Sequence, residues 1–285
     1  MSAAGTWSDE LGDVVRGAAG GMLFGIPLLY TMEVWWIGAA TRPEPALGVL
    51  LFSLLPVYLL TRTSGFRESR DVRFRDAAAD TVEAVALGVV CVTIVLTLLR
   101  ELGTTTPLGE ALGKIAYEAL PFSLGVAVAR HVLMQSRTAG DDGDASGAGS
   151  RDPFSATVAD IGATLIGATF VAFNIAPTDE IPMLAAATSP WWLLAVIAAS
   201  LVISYGIVFE AGFANQEQRR GQQGVLQHPV TETVTSYLTA LVACAVMLLL
   251  FQRFSLSDPW QMSLSYVLML GLPAAVGGAA GRLAV

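Results

Sequence analysis

The feature that most constrains this chain is an internal repeat. A shift of 147 residues places the segment 13–73 on the segment 160–220 without a gap, and a shift of 152 residues extends the match toward the end of each half. The matched polar pairs are Asp13 with Asp160, Thr31 with Thr178, Glu33 with Glu180, Asp80 with Glu232, and Arg130 with Arg282. Such matches are rare by chance in apolar sequence, so the two halves are predicted to share one fold. Binding sites of duplicated membrane proteins often lie between the repeats.

The composition is that of a membrane protein. Hydrophobic residues make up 54% of the chain and charged residues 14%, and the mean hydropathy is +0.60. A helix needs about 20 largely apolar residues to cross a bilayer. The stretches that approach this length are 17–39, 46–62, 79–99, 108–133, 156–176, 190–210, 232–252 and 262–283. We therefore predict an all-α polytopic membrane protein with about eight transmembrane helices, arranged as two parallel four-helix repeats.

The repeat also predicts how the chain is divided. Residues 1–134 form the first four-span repeat and residues 154–285 form the second. Residues 135–153 between them are rich in Asp, Gly and Ser, a composition typical of a flexible linker, here an acidic one on the cytoplasmic side.

Basic residues predict the orientation in the membrane. They cluster in the loop 62–75, in its counterpart in the second half and after span four, whereas the opposite loops hold only Arg42, Arg100 and Arg253. Cytoplasmic loops carry the excess of Lys and Arg, so we expect a multi-pass protein of the cell membrane with both termini in the cytoplasm. Because each repeat has an even number of spans, the two halves should have the same orientation.

Two glutamates occupy matched positions in apolar surroundings. Glu33 lies in span one, and Glu180 follows span five between Pro177 and Pro182. An ionisable residue at membrane depth is costly unless it faces other helices or water, and the prolines should interrupt the helix and free backbone carbonyls. Oxygen ligands suit hard cations. We therefore predict a paired-glutamate site between the repeats that binds a proton or a small cation, with Glu33 and Glu180 also as candidate metal ligands. The predicted accessory ligands are Asp179, Thr31, Thr178 and Asn174.

An interfacial position is the alternative for both glutamates. Trp35, Trp36, Trp191 and Trp192 follow them within a few residues, and aromatic belts of this kind mark the membrane–water interface. In that case each carboxylate would bind a helix end and have no chemical role.

The remaining matched charges lie at the predicted cytoplasmic ends of the spans. Asp13, Asp160, Asp80 and Glu232 begin helices, whereas Arg130 and Arg282 end them. Acids near helix N-termini and cations near C-termini also suit the helix dipole. Ion pairs among these residues are either structural or form a cytoplasmic gate, and both hypotheses are open.

Two further patterns lie on single helix faces. Glu110, Lys114 and Glu118 follow i, i+4, i+8 spacing in span four without a counterpart in the second half. This spacing predicts an ion-pair ladder, with Glu118 as a candidate step in a pathway from Glu33.

Glycines recur at three-to-four spacing in spans one and eight. Such faces allow close helix contact within the bundle or in a homodimer.

The sequence lacks the residue patterns typical of enzymes, of cofactor-binding proteins and of nucleic-acid-binding proteins. With two histidines and no nucleophile beside a histidine base, neither an enzyme nor a cofactor is expected. No concentrated basic face indicates nucleic-acid binding, so the expected partners are the lipid bilayer and small cations or protons. The first ten residues lack a basic region, and we expect no cleavable signal peptide.

The segments Ile26-Pro-Leu-Leu-Tyr-Thr-Met-Glu33 and Phe173-Asn-Ile-Ala-Pro-Thr-Asp-Glu-Ile-Pro182 carry a family resemblance. The chain resembles, over nearly its whole length, a prokaryotic family of integral membrane proteins without an assigned activity, which implies the membrane class and no mechanism. It is more loosely similar to cation exchangers with duplicated acidic motifs, although their Gly-Asp pair is missing after both glutamates. The sequence therefore favours a membrane cation transporter or channel. The alternative is a non-transporting membrane sensor or assembly partner.

Overall fold

The computed structural model describes residues 3–62, 74–139, 153–210, 228–255 and 257–283, and every element in these ranges is helical. The helices are α1 (Ala3–Leu29), α2 (Met32–Ala40), α3 (Pro43–Arg62), α4 (Phe74–Leu98), α5 (Leu108–Ala139), α6 (Pro153–Ile175), α7 (Glu180–Ala186), α8 (Pro190–Tyr205), α9 (Pro229–Leu250) and α10 (Trp260–Leu283). A π-helical turn, Gly206–Glu210, extends α8. The chain divides into two compact units, Met1–Gln135 and Ser136–Val285.

The described helices are sufficient for a polytopic membrane protein. Six of them are long and apolar enough to cross a membrane, namely α3, α4, α5, α8 with its π turn, α9 and α10. The others form two bent pairs, in which α1 meets α2 at 86° and α6 meets α7 at 88°. The number of candidate spans is six, or up to eight when each bent pair counts as one. The predicted all-α polytopic fold is confirmed.

The span predicted over residues 17–39 is broken in the structure. The helix ends at Leu29, and the chain turns sharply before α2 begins at Met32. Pro27 lies inside α1, where the hydrogen bond that it cannot donate weakens the last turns of the helix. In the second unit Pro177 lies in the turn itself, whereas Pro182 is in the first turn of α7. A proline is tolerated there because first-turn N–H groups have no helical partner.

The order of elements repeats from one unit to the other, and so does fine backbone geometry. In each unit a long helix is followed by a short helix that is set at a sharp angle to it, and then by three further helices. The turn after α4 places Arg100 at φ 67°, and the matched turn after α9 places Gln252 at φ 56°. The next residue in each turn, Glu101 or Arg253, donates its N–H over 2.9 Å to a carbonyl of the preceding helix. The same left-handed helix cap therefore forms twice with different residues.

Matched glycines explain how the last helix of each unit packs. A Cβ on Gly20 of α1 would lie 2.6 Å from the carbonyl oxygen of Gly125 on α5, and a Cβ on Gly277 of α10 would lie 2.6 Å from that of Gly167 on α6. Backbones this close require residues without a side chain. These glycines are thus covered inside their own units. A homodimer stays a prediction, and it would need a surface other than these crossings.

Candidate functional site

The threonines of the Thr-x-Glu motifs close the ends of the helices that precede the breaks. Thr31 Oγ1 donates to the carbonyl of Leu28 over 2.5 Å, and Thr178 Oγ1 donates to the carbonyl of Ile175 over 2.6 Å. In each case the backbone N–H of the same threonine also points to that carbonyl, at 3.1 Å. The matched threonines therefore stabilise the turn, and their hydroxyl protons are already engaged.

The next carbonyl at each break accepts a side-chain donor of a different kind. The indole Nε1 of Trp35 donates to the carbonyl of Leu29 over 2.9 Å. In the second unit, Arg253 Nε donates to the matched carbonyl of Ala176 over 3.2 Å, and its guanidinium also contacts the carbonyl of Pro177. The expectation that the breaks leave backbone carbonyls free is therefore wrong at these positions. Each unit supplies a side chain that replaces the missing helical N–H.

Both predicted glutamates lie in the first turn of the short helix that follows a break. Glu33 is the second residue of α2 and is exposed, whereas Glu180 is the first residue of α7 and is buried. A carboxylate in this position is stabilised by the N–H groups and the dipole of its own helix. The pairing of the two glutamates across the repeats stays a prediction.

The predicted accessory ligands have partners of their own. Asp179 Oδ1 lies 2.9 Å from Arg253 Nη1 in an ion pair, although its side chain is 82% exposed. Asn174 is exposed and donates its amide to the carbonyl of Phe170 over 2.7 Å. Their roles as ion ligands, like those of Thr31 and Thr178, stay predictions, and any ion would have to replace these contacts.

The predicted gate residues differ between the units. In the first unit Asp13 forms an ion pair at 2.6 Å with Arg16 on its own helix, and Asp80 is exposed. The side chain of Arg130 lies outside the described residues. In the second unit Asp160, the counterpart of Asp13, is half-buried on α6.

Arg282 forms a buried polar contact in the second unit. Its side chain is fully buried, pairs with Glu232 on α9 and donates to Ser236 Oγ over 3.1 Å. The guanidinium carbon also lies 5.5 Å from the ring centroid of Phe209 in the π-helical turn. Arg282 thus connects α9, α10 and the π turn. Because both charges are buried, each requires the other.

A second group of charges lies on α5 in the first unit. Lys114 is 5% exposed, and its Nζ lies 2.9 Å from Glu110 Oε1 and 3.0 Å from Glu101 Oε2. The same ammonium lies 5.4 Å from the ring centroid of Trp35. The predicted ladder therefore stops at Lys114, because Glu101 from the preceding loop takes the place expected for Glu118. Glu118 is 1% exposed, and within the described ranges neither of its oxygens has a hydrogen-bond partner.

Residues 13–285 match a protein family whose description reads "Putative integral membrane protein (DUF2391)". The chain belongs to this family. The resemblance to a family of integral membrane proteins without an assigned activity is confirmed. No curated protein and no solved structure matches the chain. Membrane integration is thus established for this DUF2391 protein. A proposal for its function must be based on the residues of the chain itself.

Sequence reasoning missed Glu101 and Arg253 as parts of the site. The two residues occupy matched positions, each directly after the left-handed turn residue, but they carry opposite charges. A repeat comparison based on identity passes over such a pair. The usable signal was a charged residue at the same loop position in both halves of this DUF2391 chain.

Metal ligands were predicted at Glu33 and Glu180. In the part of the chain that the structure describes, no group of three or more His, Cys, Asp or Glu side chains could hold a metal ion. A metal role for the two glutamates stays a prediction.

Proposed function

We propose that this protein moves a proton or a small cation across the membrane, with Glu33 and Glu180 as the ion-binding acids. The observation that supports this proposal is the pair of matched breaks, each of which puts a glutamate in the first turn of a short helix. Irregular backbone at membrane depth is tolerated only where protein buries it or water reaches it. Broken helices of this kind are typical of transporter binding sites.

The contacts at the breaks favour a proton over a multivalent cation. Ca²⁺ takes about 6–8 oxygen ligands, but five carbonyls at the breaks already accept hydrogen bonds. The guanidinium of Arg253 beside Asp179 also adds a positive charge next to α7, and like charges repel at this range. A proton needs a single carboxylate oxygen. Protons are therefore the first candidate, followed by Na⁺ and K⁺.

Flux in proteoliposomes tests the proposal. A pH dye is enclosed, and gradients of H⁺, Na⁺, K⁺ and Ca²⁺ are applied to the parent, to Glu33→Gln, to Glu180→Gln and to the double variant. The matched control is Glu44→Gln, since Glu44 is an exposed acid in the first turn of α3 and belongs to neither Thr-x-Glu motif. We expect flux in the parent and the control, and its loss in the double variant. Equal flux in the double variant and the parent would exclude the glutamates as the ion site.

A non-transporting sensor or assembly partner is the second candidate. It is favoured by the same side-chain contacts that close the breaks, because a static scaffold needs its backbone groups satisfied. Folded parent protein that shows no flux with any ion, and that copurifies with a stoichiometric partner, would support this role and exclude transport.

A further inference from the structure

Glu118 lies in a buried stretch of α5. Three helices of the first unit approach this stretch through glycines, in the contacts of Gly25 with Phe122, of Gly38 with Gly113, and of Gly88 with Ser123. Glu118 falls between these contacts along the helix, and its carboxyl group is withdrawn from solvent. An ionised carboxylate in such surroundings is costly unless a partner compensates it. The protonated, neutral form of Glu118 fits the structure as it stands.

In the ranges that the structure describes, the segments packed on this stretch carry few charged or titratable groups. The segment of α1 and α2 that packs on it carries Tyr30 and Glu33, and the segment of α4 with its following turn carries Cys91, Arg100 and Glu101. Within the described residues none of these groups bonds to Glu118.

The nearest cation on the helix itself is Lys114, one turn away, which is held by Glu101 and Glu110. Residues four apart on a helix lie on one face with Cβ atoms about 5–6 Å apart. Lys114 is therefore within one turn of Glu110 on one side and of Glu118 on the other.

We propose that Glu118 is a proton-binding site and that Lys114 is a tethered cation that changes partner when the proton leaves. With the proton on Glu118, Lys114 pairs with Glu101 and Glu110, as in this structure. When Glu118 gives up its proton to water or to a neighbouring acceptor, its carboxylate draws the ammonium of Lys114 toward it. The ion pairs of Lys114 with Glu101 and Glu110 break as the new pair with Glu118 forms, no covalent bond changes apart from the transfer of the proton, and the new ion pair compensates the buried negative charge.

This exchange has structural consequences within the first unit. Glu101 follows the left-handed turn after α4, and its carboxylate anchors that turn to α5 through Lys114. Departure of Lys114 would release the anchor and remove the cation from the ring of Trp35, which itself holds the carbonyl at the first break. Proton loss on α5 would thus reach the α1–α2 break through one side chain. This inference makes the proton the transported ion, and it rests on the proposed transport function.

Trp35 provides a reporter that does not depend on flux. Its five companion tryptophans are replaced by phenylalanine, namely Trp7, Trp36, Trp191, Trp192 and Trp260. Removal of Trp36 also removes the indole at 6.2 Å from Trp35. The emission of Trp35 is then followed against pH in lipid nanodiscs without any ion gradient.

We expect one pH-dependent transition of Trp35 emission in this background. Glu118→Gln and Lys114→Met should each abolish it, whereas Glu44→Gln should retain it. A transition that persists in Glu118→Gln, or none in the folded reporter protein, would overturn the proposal. A pH-dependent transition in a protein that shows no ion flux would support the partner exchange of Lys114 and refute transport. Ion flux in a protein that shows no such transition would support transport and refute the exchange.

Infrared spectroscopy on the full parent chain covers the case in which the reporter variant does not fold. A protonated carboxylic acid in apolar surroundings has a resolved carbonyl stretch, which Glu118→Gln should remove and Glu44→Gln should leave. If the band is absent from the parent, or survives in Glu118→Gln, Glu118 does not hold the proton.

Discussion

The crossing of α1 and α5 at Gly20 gives the sharpest test of the fold. An alanine at position 20 would place its Cβ 2.6 Å from the carbonyl oxygen of Gly125, whereas carbon and oxygen normally approach to about 3.3 Å. The new Cβ would also lie even closer to the Cβ of Ala129, which like the carbonyl is fixed to the helix backbone, so no flexible side chain can move away. The helices must separate or the backbone must shift.

The loss of stability caused by this overlap can be estimated by comparison with a second glycine. Gly48 on α3 has no heavy atom within 4 Å of the position that a Cβ would take. Gly48→Ala therefore gains only the helix propensity of alanine, up to about 1 kcal/mol. Gly20→Ala gains the same propensity but overpacks the crossing, which costs about 1–3 kcal/mol. The difference between the two variants isolates the overlap, and we expect Gly20→Ala to be about 1–3 kcal/mol less stable than Gly48→Ala.

Equilibrium unfolding in mixed micelles, followed by circular dichroism, measures this difference. The second unit offers a related test, since the Cβ of Gly277→Ala would lie at the same 2.6 Å from the carbonyl of Gly167 and also 2.5 Å from Cγ2 of Val171. Equal stability of Gly20→Ala and Gly48→Ala would refute the close crossing of α1 and α5. A penalty in only one unit would mean that the matched crossings are not equivalent.

Two further predictions concern ion pairs of the second unit. Arg282→Met should lower the free energy of unfolding by about 3–5 kcal/mol because it leaves a buried carboxylate alone, and adding Glu232→Gln should recover much of that loss in the same unfolding assay. If the double variant is no more stable than the single, the ion pair is not the reason for the loss. Arg253→Gln should cost about 1–3 kcal/mol because two carbonyls at the break lose their donor, whereas Asp179→Asn should cost about 0–1 kcal/mol because that carboxylate is mostly exposed. Thermal unfolding in detergent ranks the two variants, and equal losses would contradict carbonyl capping as the main role of Arg253.

Local features predicted the membrane class and the repeated helices. Apolar stretches of span length follow directly from composition, and the matched glycines indicated close packing before any contact was known. The break in the second unit was expected from Pro177 and Pro182, whereas the position of the turn in the first unit was not, because Pro27 lies inside α1 and the turn comes later. Helix propensity along a chain does not show where a weakened helix will end, and it does not show contacts such as the close approach of α2 to α5 at Gly38.

The partners of the charged side chains were the least predictable part. Lys114 was expected between Glu110 and Glu118, because helical spacing considers only residues on the same helix. The left-handed turn after α4 brings Glu101 to Lys114 instead, and it leaves Glu118 buried without a bond among the described residues. The sequence by itself determined that this is a helical membrane protein with a duplicated plan, because hydropathy and repetition are properties of residue order. Only the tertiary structure decided which carbonyls are capped and which acids are paired, because those contacts depend on turns that bring distant residues together.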